Sequence, residues 1–297
     1  MCIVRLRGAV VAGAMLAGLG AGTGEAATLT NCANLAALTS AVAAGVNLTF
    51  DCDGTIVLPA PLVISNSLTI EATAGCQVIL SGGSTGRLFV VPAGATLTLS
   101  NLTLANGKET FGGAIWNQGA VLATNCTFLN NQAAGPNGAN GANGRDRIGA
   151  LDGANGAAGT PGLGGAIYNS GVVRAGGCLF QGNQATGGNG GAGGNGGADS
   201  GWPGDGGDGA DGAPAYGGAI YSEGGLRLGN CTFSTNTVTG GSGGAGGTSG
   251  AGGIAGNGGA GAAACGAGLW NAGAMTLENC TFANNAVRGG SSANATT

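Results

Sequence analysis

The block Gly112-Gly-Ala-Ile-Trp-Asn117, followed by Asn125-Cys-Thr-Phe128 and Asn131, returns three more times along the chain with no gap inside the unit. Ile115, Ile167, Ile220 and Leu269 correspond, and so do Cys126, Cys178, Cys231 and Cys280, at spacings of 52, 53 and 49 residues. A unit this small cannot bury its own apolar face, so its copies must stack. Within each copy the residues two apart are apolar: Val121 and Ala123, Val173 and Ala175, Leu226 and Leu228, Met275 and Leu277. That period belongs to strands and not to helices. Asn125, Gly177, Asn230 and Asn279 then break the alternation, as a bend between strands does. Three short strands per turn, about 22 residues to a turn without an insert, predict an all-β parallel β-helix of six or seven coils. The one good helical stretch, Asn34 to Ala43, falls in the amino-terminal segment expected to close an open end of the stack.

The repeat columns name the interior. Phe128, Phe180, Phe233 and Phe282 form one column and Cys126, Cys178, Cys231 and Cys280 another, the latter read as small inward apolar side chains. Asn131, Asn183, Asn236 and Asn285 form a third. Asparagine tolerates left-handed backbone angles, and its amide both donates and accepts, so equivalent residues one coil apart can bond in a row. Composition leaves few other means of support. Charged residues are 7% and aromatics 4%, so neither ion-pair networks nor a bulky aromatic core can hold the chain. The formal charge of −4 and the absence of a basic run exclude duplex nucleic acid as a partner.

Residues 1–26 carry Arg5 and Arg7, an apolar stretch from Ala9 to Leu19 and then Gly24-Glu25-Ala26, which reads as a secretory leader. The apolar run is too short for a spanning helix, so no transmembrane segment is expected in the mature chain. Export permits disulfides, and Cys32 and Cys52 are the pair expected to bridge. The chain then divides into residues 27–87, a cap and the first coils; 88–288, the repeats; and 289–297, a tail.

The pairing of Gly-Gly-Ala-Ile at 112, 164 and 217 with Phe-x-x-Asn at 128, 180, 233 and 282 resembles the repeat of polymorphic outer membrane proteins and related right-handed parallel β-helix proteins of the pectin-lyase-like type. The resemblance covers about residues 88 to 288. It implies an exported, surface-located, non-enzymatic scaffold, used in adhesion to a host or cell-surface glycan or protein. The outer membrane members carry a carboxy-terminal β-barrel, and no series of amphipathic strands follows the repeats here, which leaves the mode of anchoring open.

Three glycine-rich inserts, at 134–163, 186–216 and 239–265, enter between the Asn131 and Ile115 columns and must emerge on one side. Residues 241, 244, 247, 250, 253, 256 and 259 are all glycine, a three-residue period that matches an extended left-handed helix with glycine along one edge. The alternative is loose low-complexity loops, from which a triplet could be removed for well under about 1 kcal/mol.

Chemistry is sparse. A polysaccharide lyase or hydrolase on this fold needs paired carboxylates, or a calcium site with a basic residue. Asp205, Asp208 and Asp211, with Asp199 nearby, lie inside an insert. Gly206-Gly-Asp-Gly-Ala-Asp211 matches the start of a calcium-binding nonapeptide, which makes Asp208 and Asp211 the metal candidates and calcium the one cofactor to consider. No catalytic or cofactor-binding residue is assigned. The column Trp116, Tyr168, Tyr221 and Trp270 is either a sugar-stacking strip or a set of rings packed on each other. An enzyme or carbohydrate-binding reading requires a rigid groove that gathers two or more of Asp51, Asp53, Glu71, Lys108, Arg174 and Arg227, whereas a scaffold leaves them dispersed.

Overall fold

The computed structural model describes residues 26–146, 151–198 and 202–294, so nearly all of the leader, together with Asp199, lies outside the described residues. The chain winds into a parallel β-helix. Strands such as Ala120–Thr124 form because Val121 and Ala123 point inward, 0% and 2% exposed, while Leu122 and Thr124 face out. Every strand pairs in parallel with its equivalent one coil away: Val121 lies beside Val173, Val173 beside Leu226, and Leu226 beside Met275. The repeat spacing in the sequence is therefore the strand register.

Among the described residues the coils build sheets of six, eight, seven and five strands, containing respectively Ile115–Asn117, Ala120–Thr124, Thr127–Leu129 and Gln132–Ala134. A full repeat coil thus has four strands where the sequence predicts three. The fourth arises because the chain bends at Asn131 and then turns apolar again at Ala133, Ala185 and Val238. These residues form a second small core with Ala215, Ala264 and Ala267. That core lies beneath a three-stranded sheet, Gly162–Leu163, Ala215–Tyr216 and Ala264–Cys265, formed where the inserts rejoin the body.

The two bends flanking the third sheet need left-handed backbone. The first is supplied by Asn125, Gly177, Asn230 and Asn279, with φ between 50° and 62°. The second is supplied by Asn130, Gly182, Thr235 and Asn284, with φ between 53° and 64°. The second set is one residue before the ladder asparagines, which corrects the expectation that one asparagine does both jobs. The left-handed turn at 130 leaves Asn131 in ordinary backbone with its amide aimed inward.

Three ladders then line the interior, although in the last coil Phe282, expected inside, is 46% exposed because no further coil covers it. The rings of Phe128, Phe180, Phe233 and Phe282 stack at 4.6, 4.6 and 4.7 Å. The amide Nδ2 of Asn131 donates to Oδ1 of Asn183 at 3.0 Å, Asn183 to Asn236 at 2.9 Å, and Asn236 to Asn285 at 2.9 Å. Oδ1 of Asn183, Asn236 and Asn285 each also accepts the preceding asparagine's backbone N–H, so the fully buried amides of Asn183 and Asn236 and the half-buried one of Asn285 are satisfied. The third ladder, Asn117 to Asn169 at 2.7 Å and Asn169 to the Ser222 hydroxyl at 2.9 Å, ends below on Val91 and leaves Asn117 Oδ1 without a partner.

The amino-terminal end is closed by the helix Leu35–Ala44. Asn34 caps it by accepting from the Ala37 N–H at 3.0 Å, Gly45 ends it in a left-handed conformation at φ 68°, and Leu38 and Val42 bury one face against the first coils. Cys32 and Cys52 are bridged, with Cα atoms 5.7 Å apart.

Candidate functional site: the glycine-rich slab and an arginine groove

Each insert is a hairpin of two extended legs, and the legs are bonded to one another and not within themselves. Gly135, Gly138, Gly141 and Gly144 donate to the carbonyls of Thr186, Asn189, Ala192 and Asn195 in the next insert, at 2.7 to 2.8 Å. Gly188, Gly191, Gly194 and Gly197 donate across the hairpins to Thr160, Ala157, Ala154 and Leu151, at 2.8 to 2.9 Å. One equivalent donor every third residue means three residues per turn, and these glycines have no positive φ, which identifies extended left-handed helices of the polyproline II type. The legs form a two-layer slab in register with the coils beneath. The loose-loop alternative is overturned, because a peptide group in every triplet is spent on a neighbouring leg.

Glycine is required by distance. A Cβ at Gly138 would lie 1.7 Å from the Ala157 oxygen, and one at Gly141 would lie 1.8 Å from that of Ala154. The outgoing leg of the first insert has the slab on one side only, so its triplets, Gly-Pro-Asn and Gly-Ala-Asn, hold one glycine each. The middle insert has neighbours on two sides. There Gly190 faces the Ala210 oxygen at 1.9 Å, Gly191 faces that of Ala139 at 2.0 Å, and the triplets become Gly-Gly-x.

Where the third residue of a triplet is Asn or Asp, its side chain links the inserts sideways. Oδ1 of Asn137, Asn140 and Asn143 accepts the backbone N–H of Asn189, Ala192 and Asn195 at 2.8 to 3.0 Å. On the opposite layer, Asp205, Asp208 and Asp211 accept from Ile254, Asn257 and Ala260 at 2.6 to 2.7 Å. Asp208 and Asp211, the calcium candidates, thus each hold a neighbouring leg through one carboxylate oxygen. Among the described residues no group of three or more His, Cys, Asp and Glu side chains could hold a metal. The recurrence of Asn or Asp three residues apart in the inserts was the sequence signal for this lateral role, and a reading centred on the glycines passes over it.

The aromatic column uses its faces internally. Tyr168 stacks on Tyr221 at 5.2 Å and Tyr221 on Trp270 at 4.5 Å, while Tyr216 from the insert sheet tilts against Trp270 at 5.3 Å. Glu223 accepts from both tyrosine hydroxyls, at 3.2 Å from Tyr168 and 2.7 Å from Tyr221. Burial, reinforced by that carboxylate, pushes both phenols above their ordinary pKa. Below them, the nearly buried Arg87 donates to the carbonyls of Phe111 and Gly112 and sits 5.2 Å from the Trp116 ring, where desolvation lowers its pKa. These rings pack chiefly on one another, while Trp116, Tyr168 and Trp270 each stay partly exposed.

The cysteine column is interior as far as Cys231, and Cys280 in the last coil is only half-buried. Cys126, Cys178 and Cys231 are buried free thiols. Hydrogen bonding to Cys126 pushes the Cys178 thiol up to about 12, and the bond to Cys178 raises Cys231 too, while Cys126 as acceptor is lowered. Among the charges singled out above, Asp53 accepts the Gln77 N–H at 2.6 Å and Glu71 accepts from the Thr49 hydroxyl at 3.1 Å, both in the early coils. Lys108 lies in the fourth sheet beside Gln132. The structure does bring Arg174 and Arg227 together, as registered neighbours on adjacent strands of the eight-stranded sheet. They line an open groove of about 370 Å³ with Val172, Met275 and Thr276. The carboxylate beside them is Glu278, 3.2 Å from Arg227. No protein-family model, curated protein or solved structure matches this chain.

Proposed function

We propose that this protein is an exported, non-enzymatic scaffold whose β-helix carries the glycine-rich slab as a rigid display surface, in an adhesin-like role at or beyond the cell surface. The observation that supports the reading is the register between slab and coils. The inserts lie at the same column in successive coils, and their legs bond to one another across the 52- and 53-residue repeat spacings. A mere connection needs none of that order. An ordered polar surface about three helical turns long has the form of an interaction face. The resemblance to polymorphic outer membrane repeats supports the same reading, as does the scarcity of paired carboxylates for acid–base chemistry.

The test is fractionation of cells producing the full chain, followed by surface-binding assays. Expected are a processed amino terminus, recovery in the medium or on the cell surface, and adhesion to glycan- or protein-coated surfaces that is lost when the slab is disrupted by Gly191→Ala. Retention in the cytoplasm with the leader intact, or release of cleaved products from a panel of polysaccharides, would overturn it.

A further inference from the structure

We infer that the groove over Arg174 and Arg227 is a binding site for an oxyanion, either free or carried on an acidic polymer. Two of the chain's nine Lys and Arg residues stand directly opposite each other on neighbouring parallel strands. At the strand spacing of about 4.8 Å, like charges so placed repel and weaken the sheet. Arg227 is partly relieved by Glu278, in an ion pair where both side chains are more than half exposed. Arg174 has no hydrogen-bond or ion-pair partner among the described residues.

The surroundings leave the guanidinium groups open. The outward column beside them runs Val172, Gly225 and then Ala274, so the missing side chain at Gly225 hollows the sheet surface. On the other side Gly176 and Gly229 have nothing within 4 Å of where a Cβ would stand. The result is a recess of about 370 Å³ floored by small residues, flanked by Val172 and Thr276, and carrying an excess of positive charge in a chain of net charge −4. Two guanidinium forks side by side match the two or more oxygens of a carboxylate or sulfate, and Arg is suited to planar, bidentate recognition of such groups. Glu278 competes for Arg227 in the empty groove. The site is on the body, away from the slab, and stands independently of the display function.

Titrations of the full mature chain with inorganic sulfate and with an oligogalacturonate, followed by the arginine Nε–Hε NMR signals, test it. Both signals should move saturably at constant ionic strength. Arg174→Gln should weaken binding by about tenfold or more, and Glu278→Gln should tighten it by about threefold by freeing Arg227. Gly191→Ala should leave it intact. Saturation by sulfate supports a free oxyanion, and saturation by the oligosaccharide alone supports a polymer-borne one. Absence of saturation by either probe, indifference to Arg174→Gln in a variant that melts like the parent, or weaker binding by Glu278→Gln would overturn the site.

Discussion

Replacing Gly191 by alanine distinguishes a packed slab from a set of loops. A Cβ there would lie 2.0 Å from the Ala139 oxygen and 2.5 Å from its carbon. Both atoms are backbone, so no side-chain rotation relieves the contact, and a normal approach of about 3.5 Å requires the two legs to separate by roughly 1.5 Å. Around that point the legs are joined by Gly138 N–H to Asn189 O and Gly141 N–H to Ala192 O, both 2.8 Å, and by the Asn189 and Ala192 N–H groups to Oδ1 of Asn137 and Asn140, at 2.8 and 3.0 Å. Separation on that scale stretches these bonds past useful length. With about 0.5–1.5 kcal/mol for each bond and the usual penalty for overpacking, the substitution should cost about 2–5 kcal/mol. Gly176→Ala is the matched control, because nothing lies within 4 Å of the new methyl group. It should be neutral or gain up to about 1 kcal/mol through the unfolded state. Urea unfolding with linear extrapolation reads the global change, and amide exchange at Gly138 and Gly141 reads the local one. A Gly191→Ala protein within about 0.5 kcal/mol of the parent, with both amides still protected, would refute the packing account.

Three further outcomes are expected. Phe180→Ala removes a ring stacked at 4.6 Å on both faces and should cost about 3–5 kcal/mol in denaturant unfolding; a loss below about 1 kcal/mol would mean that the ladder carries little. Asn183→Ala leaves the buried N–H of Asn131 without its acceptor and breaks the amide row on both sides, so it should cost at least about 3 kcal/mol, while Asn137→Ala on the slab surface should cost far less. Tyr168 and Tyr221 should ionise later than ordinary tyrosine in an alkaline absorbance titration, and Glu223→Gln should recover part of the shift, since desolvation is the larger cause. Because both phenol pKa values are raised on folding, the associated stability is full below about pH 10 and is lost as pH climbs through the folded values; a protein that grew more stable in that window would contradict the assignment.

The stack was legible because repetition converts one-dimensional spacing into strand register: residues in equivalent positions of identical units must meet equivalent residues. The Phe and Asn columns therefore appear in the sequence as columns and in space as ladders. The helix Leu35–Ala44 was legible from local rules, with a capping asparagine before it and a glycine after it. What each column does was less so. The left-handed residue at 130 and the ladder residue at 131 are both asparagine, and only the path of the backbone separates the turn from the amide row. Nor does local patterning reveal the fourth sheet, because Ala133 and Val238 are too small and isolated to announce a strand before a second core exists to bury them.

The amino-acid sequence by itself determined that this protein is a parallel solenoid with glycine-periodic inserts on one flank, since both follow from counting along the chain. Tertiary structure alone decided that the inserts are an ordered slab, that Asp208 and Asp211 each serve a neighbouring backbone N–H, and that Arg174 and Arg227 share a groove. The physical reason is the reach of each interaction. Strand alternation and repeat length act within a coil, whereas an extended helix without internal hydrogen bonds acquires its order only from the legs packed beside it.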